Sequence, residues 1–286
     1  MNQASRKPSF VFVHGAWHGG GCWSEAVRLL AEQGHPSIAV DLPGHGATAK
    51  FPAAYLAQPQ SPAALATEVS PLAELTLTHY RDAVLKIIRG LVADGSGPVI
   101  LVGHSLGGAT ISAVCEAAPE LIRRVVYLTA FVPIRFPTVI QYLQDASFAA
   151  SEVPPLFVAD PAVTACGRIN HRSDDAAYRA AEKSAFYADV PDATYQAFAN
   201  LLTPDEPIQG FTTPTVLTVA NWGAVPRAYI RCTADRAIPI SVQDAMIEQA
   251  DSYAPANKFV VKTLTTSHSP FAADPRALTA ALVSLA

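Results

Sequence analysis

The chain has 286 residues, half of them apolar and 15% charged, with a formal net charge of −4. That length and apolar share support one large α/β domain with a sizeable core, or two small ones. The mild acidity and the lack of a basic stripe argue against a nucleic-acid partner, and no apolar run approaches the ~20 residues of a membrane helix. The polar start, Met1 to Pro8, carries no apolar segment followed by a cleavage signal, so a cytoplasmic protein is expected. Cys22, Cys115, Cys166 and Cys232 are scattered, form no C-x-x-C and have no histidine at zinc-like spacing. They read as reduced, buried thiols, and no metal site is expected.

The first apolar run, residues 9–13, predicts a strand that ends at His14-Gly15-Ala16. A helix over 24–33, stopped by Gly34, and a strand over 37–40 follow, so the opening unit is β-α-β with parallel strands. Asp41-Leu42-Pro43-Gly44-His45-Gly46 is a dense turn signal. Residues 47–71, rich in Ala, Pro, Ser and Gln, read as a long surface excursion with room for one short helix. Apolar residues at 77, 80, 84, 85, 88 and 91 predict a helix over 76–93, with Thr76 or Thr78 as its cap. Residues 99–102 and 124–128 read as buried strands flanking a helix from 108. Residues 133–220 hold many prolines, several aromatics and no clear strand series, and read as an inserted helical cap. The alternation returns with a strand over 228–232, a helix over 242–250, a strand over 259–264 and a closing helix over 275–285. The expected fold is therefore a mostly parallel, doubly wound α/β sheet: a core of residues 1–132 and 221–286, with a cap over 133–220.

Gly103-His104-Ser105-Leu106-Gly107 spells G-x-S-x-G, and it sits between a predicted strand and a predicted helix. In that context the motif is a nucleophile elbow, a sharp turn that lifts the serine hydroxyl above the sheet. A serine needs a base to take its proton, and the base needs a carboxylate to fix its tautomer. In this architecture the order is serine, acid, histidine, each at the carboxyl end of a strand. Asp235 follows the 228–232 strand and His268 follows the last strand, so these are the candidates. Asp244, Glu248 and Asp251 belong to a helix or its end and fit less well. His14 and His45 sit in tight turns, His104 adjoins the serine at i−1, and His35, His79 and His171 read as surface or cap residues. The N–H of Leu106, at a helix start, and that of Ala16, after the first strand, are the candidate oxyanion donors. Trp17, His18, Phe131, Phe186, Tyr187 and Trp222 are candidate walls of a substrate pocket.

The stretches around Val13 to Gly20, Asp41 to Gly46, Ser105, Tyr229 to Pro239 and Ser267 to Phe271 resemble the α/β-hydrolases of the plant methylesterase/hydroxynitrile lyase group and their bacterial esterase relatives. The resemblance spans nearly the whole chain except residues 50–71, which look like an insertion. It implies a cofactor-free serine esterase acting on a small hydrophobic ester or lactone, as a monomer or homodimer. It also leaves room for a C–C bond hydrolase, a cofactor-free oxygenase or a weakly catalytic ligand receptor. The lyases of that group carry a lysine after the catalytic histidine and a threonine in the first loop. Here those positions are Ser269 and Gly15-Ala16, which argues against cyanohydrin cleavage.

Overall fold

Short, fully apolar, β-branched runs can be buried on both faces only in a sheet covered by helices on each side. The computed structural model, which describes residues 7–286, builds that sheet; residues 1–6, part of the polar start discussed above, lie outside the described residues. Strands β1 (Phe10–Val13), β2 (Ser37–Val40), β3 (Val99–Ser105) and β4 (Ile122–Ala130) come from the first half of the chain. After a separate antiparallel pair, β5 (Cys166–Arg168) and β6 (Asp205–Pro207), the sheet is completed by β7 (Arg227–Cys232) and β8 (Val260–Leu264). The order is β2-β1-β3-β4-β7-β8, and every pairing in it is parallel.

The helices are α1 (Ser24–Glu32), α2 (Ala53–Leu56), α3 (Pro62–Thr67), α4 (Leu77–Ala93), α5 (Gly107–Ala117), α6 (Val139–Gln144) and α7 (Pro161–Thr164). They continue with α8 (Ala176–Tyr187), α9 (Asp192–Ala199), α10 (Ile208–Thr212), α11 (Ile240–Tyr253), α12 (Pro270–Ala273) and α13 (Pro275–Val283). The chain winds outward from β1 to β2, then reverses through β3, so right-handed crossovers put α1 on one face and α4 and α5 on the other. Accordingly α1 packs with α13, and α4 with α5. Thr76 caps α4 and forms a capping box with His79. No helix among the described residues is long and apolar enough to cross a membrane.

Three expectations need correction. The 47–71 excursion holds two short helices, α2 and α3, where one had been expected. The 133–220 segment contains a strand pair, β5 with β6, although each strand is only three residues long and too short to leave a period in the sequence. His35 is not a surface residue: it is buried, with Nδ1 against the Pro8 carbonyl at 3.0 Å. The four cysteines are free and buried, and burial pushes all four thiols up.

One buried side chain ties the end of the excursion to the strand pair. Arg168 in β5 is fully buried and grips Asp205 of β6 in two places, Nε to Oδ1 at 2.6 Å and Nη2 to Oδ2 at 2.8 Å. Its remaining nitrogen, Nη1, donates to the carbonyls of Leu65 at 2.6 Å and Glu68 at 2.9 Å. A planar fork of five N–H donors suits this geometry, and lysine cannot reproduce it. Removing one partner of a buried pair strands the other charge, at a cost of about 3–5 kcal/mol. We therefore expect Arg168→Met to lower stability by that order in denaturant titration and to expose residues 50–71 to limited proteolysis. A variant as stable and as protease-resistant as the parent would contradict the assignment.

Candidate active site

The turn between β3 and α5 places Ser105 at φ 53°, a left-handed conformation that a residue with a side chain adopts only when its surroundings force it. Close backbone approach supplies that force. A Cβ at Gly107 would lie 2.5 Å from the His14 carbonyl oxygen, and one at Gly15 would lie 2.7 Å from Ser105 Cβ. The loop after β1 is thus pressed against the elbow, and only glycine fits the contact.

Asp235 follows β7 and His268 follows β8, and the two meet: His268 Nδ1–H donates to Asp235 Oδ2 at 2.7 Å. The same oxygen accepts from the Thr129 hydroxyl, while Oδ1 accepts from the N–H groups of Ala237 at 2.7 Å and Ile238 at 2.8 Å. Four donors therefore hold the carboxylate. They assign the proton of His268 to Nδ1 and leave Nε2 free to accept. Thr129 reaches Asp235 from a strained position, φ 35°. The His268 backbone is held as well. His104 Nε2–H donates to its carbonyl at 2.8 Å, and Asp189 accepts from both the N–H and the hydroxyl of Ser267. Burial, then the neighbouring His268 and His18, push His104 well down, so it serves as a neutral prop.

Ser105 and His268 line one cavity. Among the described residues no hydrogen bond joins the Ser105 hydroxyl to the His268 ring; the ring's own bond runs to Asp235. The N–H groups of Ala16 and Leu106 also have no protein acceptor among the described residues. Leu106 sits at the N-terminus of α5, where free N–H groups and the helix dipole favour an anion. The peptide between Gly15 and Ala16 is oriented by His14, whose Nδ1–H donates to the Gly15 carbonyl at 2.8 Å while Nε2 accepts from Leu42 N–H at 3.1 Å.

The cavity is narrow, with about 30 Å³ of free volume, and is walled almost wholly by carbon. Of the expected wall residues, Trp17, Phe131 and Phe186 line it, alongside Ala16 and Leu106. Phe148, Phe157, Phe211 and Leu143 line it too. They were missed because they are scattered through the 133–220 segment without a period. His18 and Tyr187 do not line it: His18 Nδ1–H is spent on the Ala16 carbonyl at 2.7 Å, and its Nε2 accepts from the Tyr187 hydroxyl at 2.8 Å. Trp222 is also no wall. It precedes β7, at the opposite end of the strands from Ser105, where its indole donates to the Tyr127 hydroxyl at 2.8 Å beneath the stacked Arg227. A larger cleft of about 570 Å³ between residues 57–65 and 170–175 shares no lining residue with this cavity. No group of three or more His, Cys, Asp or Glu suited to a metal ion occurs among the described residues.

The chain belongs to the alpha/beta hydrolase family, whose model matches residues 10–282. It is similar to methyl jasmonate esterase 1 of Vitis vinifera, 28% identical over 254 residues and 86% of each chain. It is also similar to methylesterase 2 of Arabidopsis thaliana, 27% identical over 294 residues, 100% of this chain and 98% of the relative. In three dimensions it resembles a pyrethroid hydrolase, with TM-score 0.75, 23% identity and 97% of each chain covered, which speaks for the fold.

The buried histidines of this region make stability depend on pH. Burial is the largest cause in holding His14 and His104 well below the usual imidazole range and His18 at about 3. Below about pH 6.5 the unfolded chain takes up protons that these folded imidazoles refuse, so stability falls as pH drops, by up to about 1.4 kcal/mol per pH unit for each. His45 acts oppositely: its raised value makes its contribution present in acid and lost as pH rises through that value. Denaturant titrations between pH 7 and pH 5 should show a steep loss of unfolding free energy. A flat profile would mean that these rings are not buried neutral.

Proposed function

We propose that the chain is a serine hydrolase that cleaves carboxylic esters, lactones included, of neutral hydrophobic small molecules through an acyl-enzyme on Ser105. The observation that carries this reading is the pairing of a carboxylate-anchored His268 with a strained Ser105 in one apolar cavity. His268 Nε2 takes the Ser105 proton as Oγ attacks the ester carbonyl. Negative charge then develops on the carbonyl oxygen, where the N–H groups of Ala16 and Leu106 receive it. The proton on His268 passes to the leaving alcohol. A water, deprotonated by the same nitrogen, attacks the acyl carbon; the bond to Ser105 Oγ then breaks, His268 returns the proton to Oγ and the carboxylic acid leaves. Asp235 remains ionised and stabilises the imidazolium. The contact between Ser105 and His268 is expected to close when substrate binds, as such bonds are often loose in empty sites.

The apolar walls favour a substrate without charge near the scissile bond, because an unpaired ion in that cavity would lose its hydration without compensation. Residues 133–220, which supply most of the aromatic wall, act in this reading as a cap over the core. The names of the plant relatives, a methyl jasmonate esterase and a methylesterase, support ester cleavage. Ser269 after the histidine and Gly15-Ala16 in the first loop speak against a lyase.

Purified protein should hydrolyse a short p-nitrophenyl ester and react with a fluorophosphonate probe at Ser105. Ser105→Ala should fold normally, fail to label and lose turnover by about 10⁴-fold or more. Turnover retained in that variant would refute the assignment.

A further inference from the structure

The loop that carries Ala16 is gripped by a buried carboxylate, Glu206, that lies 189 residues beyond Trp17. Trp17, next to Ala16, lies at φ 62°, a conformation a bulky aromatic residue does not hold unaided. Three residues of the β5–β6 region restrain it. Its N–H donates to Glu206 Oε2 at 3.3 Å and its indole N–H to the Gly167 carbonyl at 2.8 Å. Its carbonyl accepts from the N–H of Thr203 at 2.8 Å and from the Thr203 hydroxyl at 3.1 Å.

Glu206 is 1% exposed. Beyond Trp17 it meets His45 Nε2 at 3.1 Å and accepts from the Tyr80 hydroxyl at 3.1 Å. Burial pushes the His45 imidazole down, and the Glu206 carboxylate more than reverses this, so the net shift is upward, toward the charged imidazolium. That charge balance matters at this place. A bare carboxylate beside the oxyanion site would oppose the negative charge that forms there, whereas one matched by an imidazolium does not. His14, which orients the Gly15–Ala16 peptide, has its ring 5.2 Å from His45 and stays neutral, held down by burial and then by His45.

We propose that Glu206 is a positioning residue for the oxyanion hole: set beside His45 and steadied by Tyr80, it holds the Trp17 N–H and so fixes the neighbouring Ala16 N–H at the carbonyl oxygen of the substrate. This rests on the hydrolase reading. Trp17 N–H and the Tyr80 hydroxyl donate to one carboxylate oxygen each, with His45 Nε2 alongside, so an amide in place of the carboxylate offers one acceptor and turns N–H groups against a donor.

The test compares the parent with Glu206→Gln, using p-nitrophenyl butyrate as substrate and an aryl trifluoromethyl ketone as inhibitor. The ketone adds to Ser105 and places an oxyanion in the hole. Loosening of this order is expected to lower kcat by about tenfold to a hundredfold while KM moves less than about threefold. Affinity for the ketone should fall by the same factor as kcat/KM. A variant whose melting temperature drops while kcat and ketone affinity stay within about twofold would show a purely structural role and overturn the proposal. Should Glu206→Gln fail to fold, Tyr80→Phe removes one of the two hydrogen-bond donors; kcat and ketone affinity falling together support the proposal, and neither changing overturns it. Fluorophosphonate labelling of the parent separates the two levels. A parent that neither labels nor turns over removes the hydrolase reading and this inference with it, whereas a labelled parent with an unaffected variant removes this inference alone.

Discussion

The contact between the loop after β1 and the elbow after β3 governs much of what surrounds it. Gly15 lies against Ser105, and Gly107 lies against the His14 carbonyl, at separations no Cβ would allow. Because the strands are parallel neighbours, with Val13 paired to Gly103, both loops leave the sheet at the same edge. That one packing fact puts Ser105, the N–H of Leu106 and the N–H of Ala16 around a common point. The strain stored at Ser105 and Trp17 is then supported by the surrounding fold: the sheet beneath, and the β5–β6 region across the loop.

A second theme is how few charges the site contains and how tightly each is held. Asp235 receives four donors, and Glu206 receives two donors with the His45 ring nitrogen 3.1 Å away. The other buried imidazoles around the site, His14, His18 and His104, are kept neutral chiefly by burial, and each spends its N–H on a backbone carbonyl. In a poorly polarisable interior an unmatched charge is expensive, so polar groups there become rigid parts of the framework. That rigidity keeps donors aimed at a reacting oxygen without further reorganisation.

Much of this was legible in the sequence, for identifiable reasons. Strands of the main sheet read as buried β-branched runs, and the parallel order followed from their alternation with helices. Ser105, Asp235 and His268 could be singled out because each sits at or just past the carboxyl end of a strand, and the structure brings the last two into contact. Trp222 was misread although the same rule excludes it: it comes before β7, at the end of the sheet remote from Ser105. Tyr187 and His18 were placed in the right region but are spent on each other. Glu206, Asp189, Thr129 and Arg168 left no local signal. Their partners lie many tens of residues away, and nothing in a single sequence says which buried carboxylate will meet which loop.

The four thiols have a practical consequence. All are buried, unpaired and displaced toward higher pKa by their surroundings, so almost none of the reactive thiolate exists near neutrality. Alkylating agents should therefore leave the native molecule unmarked. A single surface cysteine introduced at will, for a fluorophore or an immobilising tether, would be the one chemical handle, and the natural residues need not first be removed.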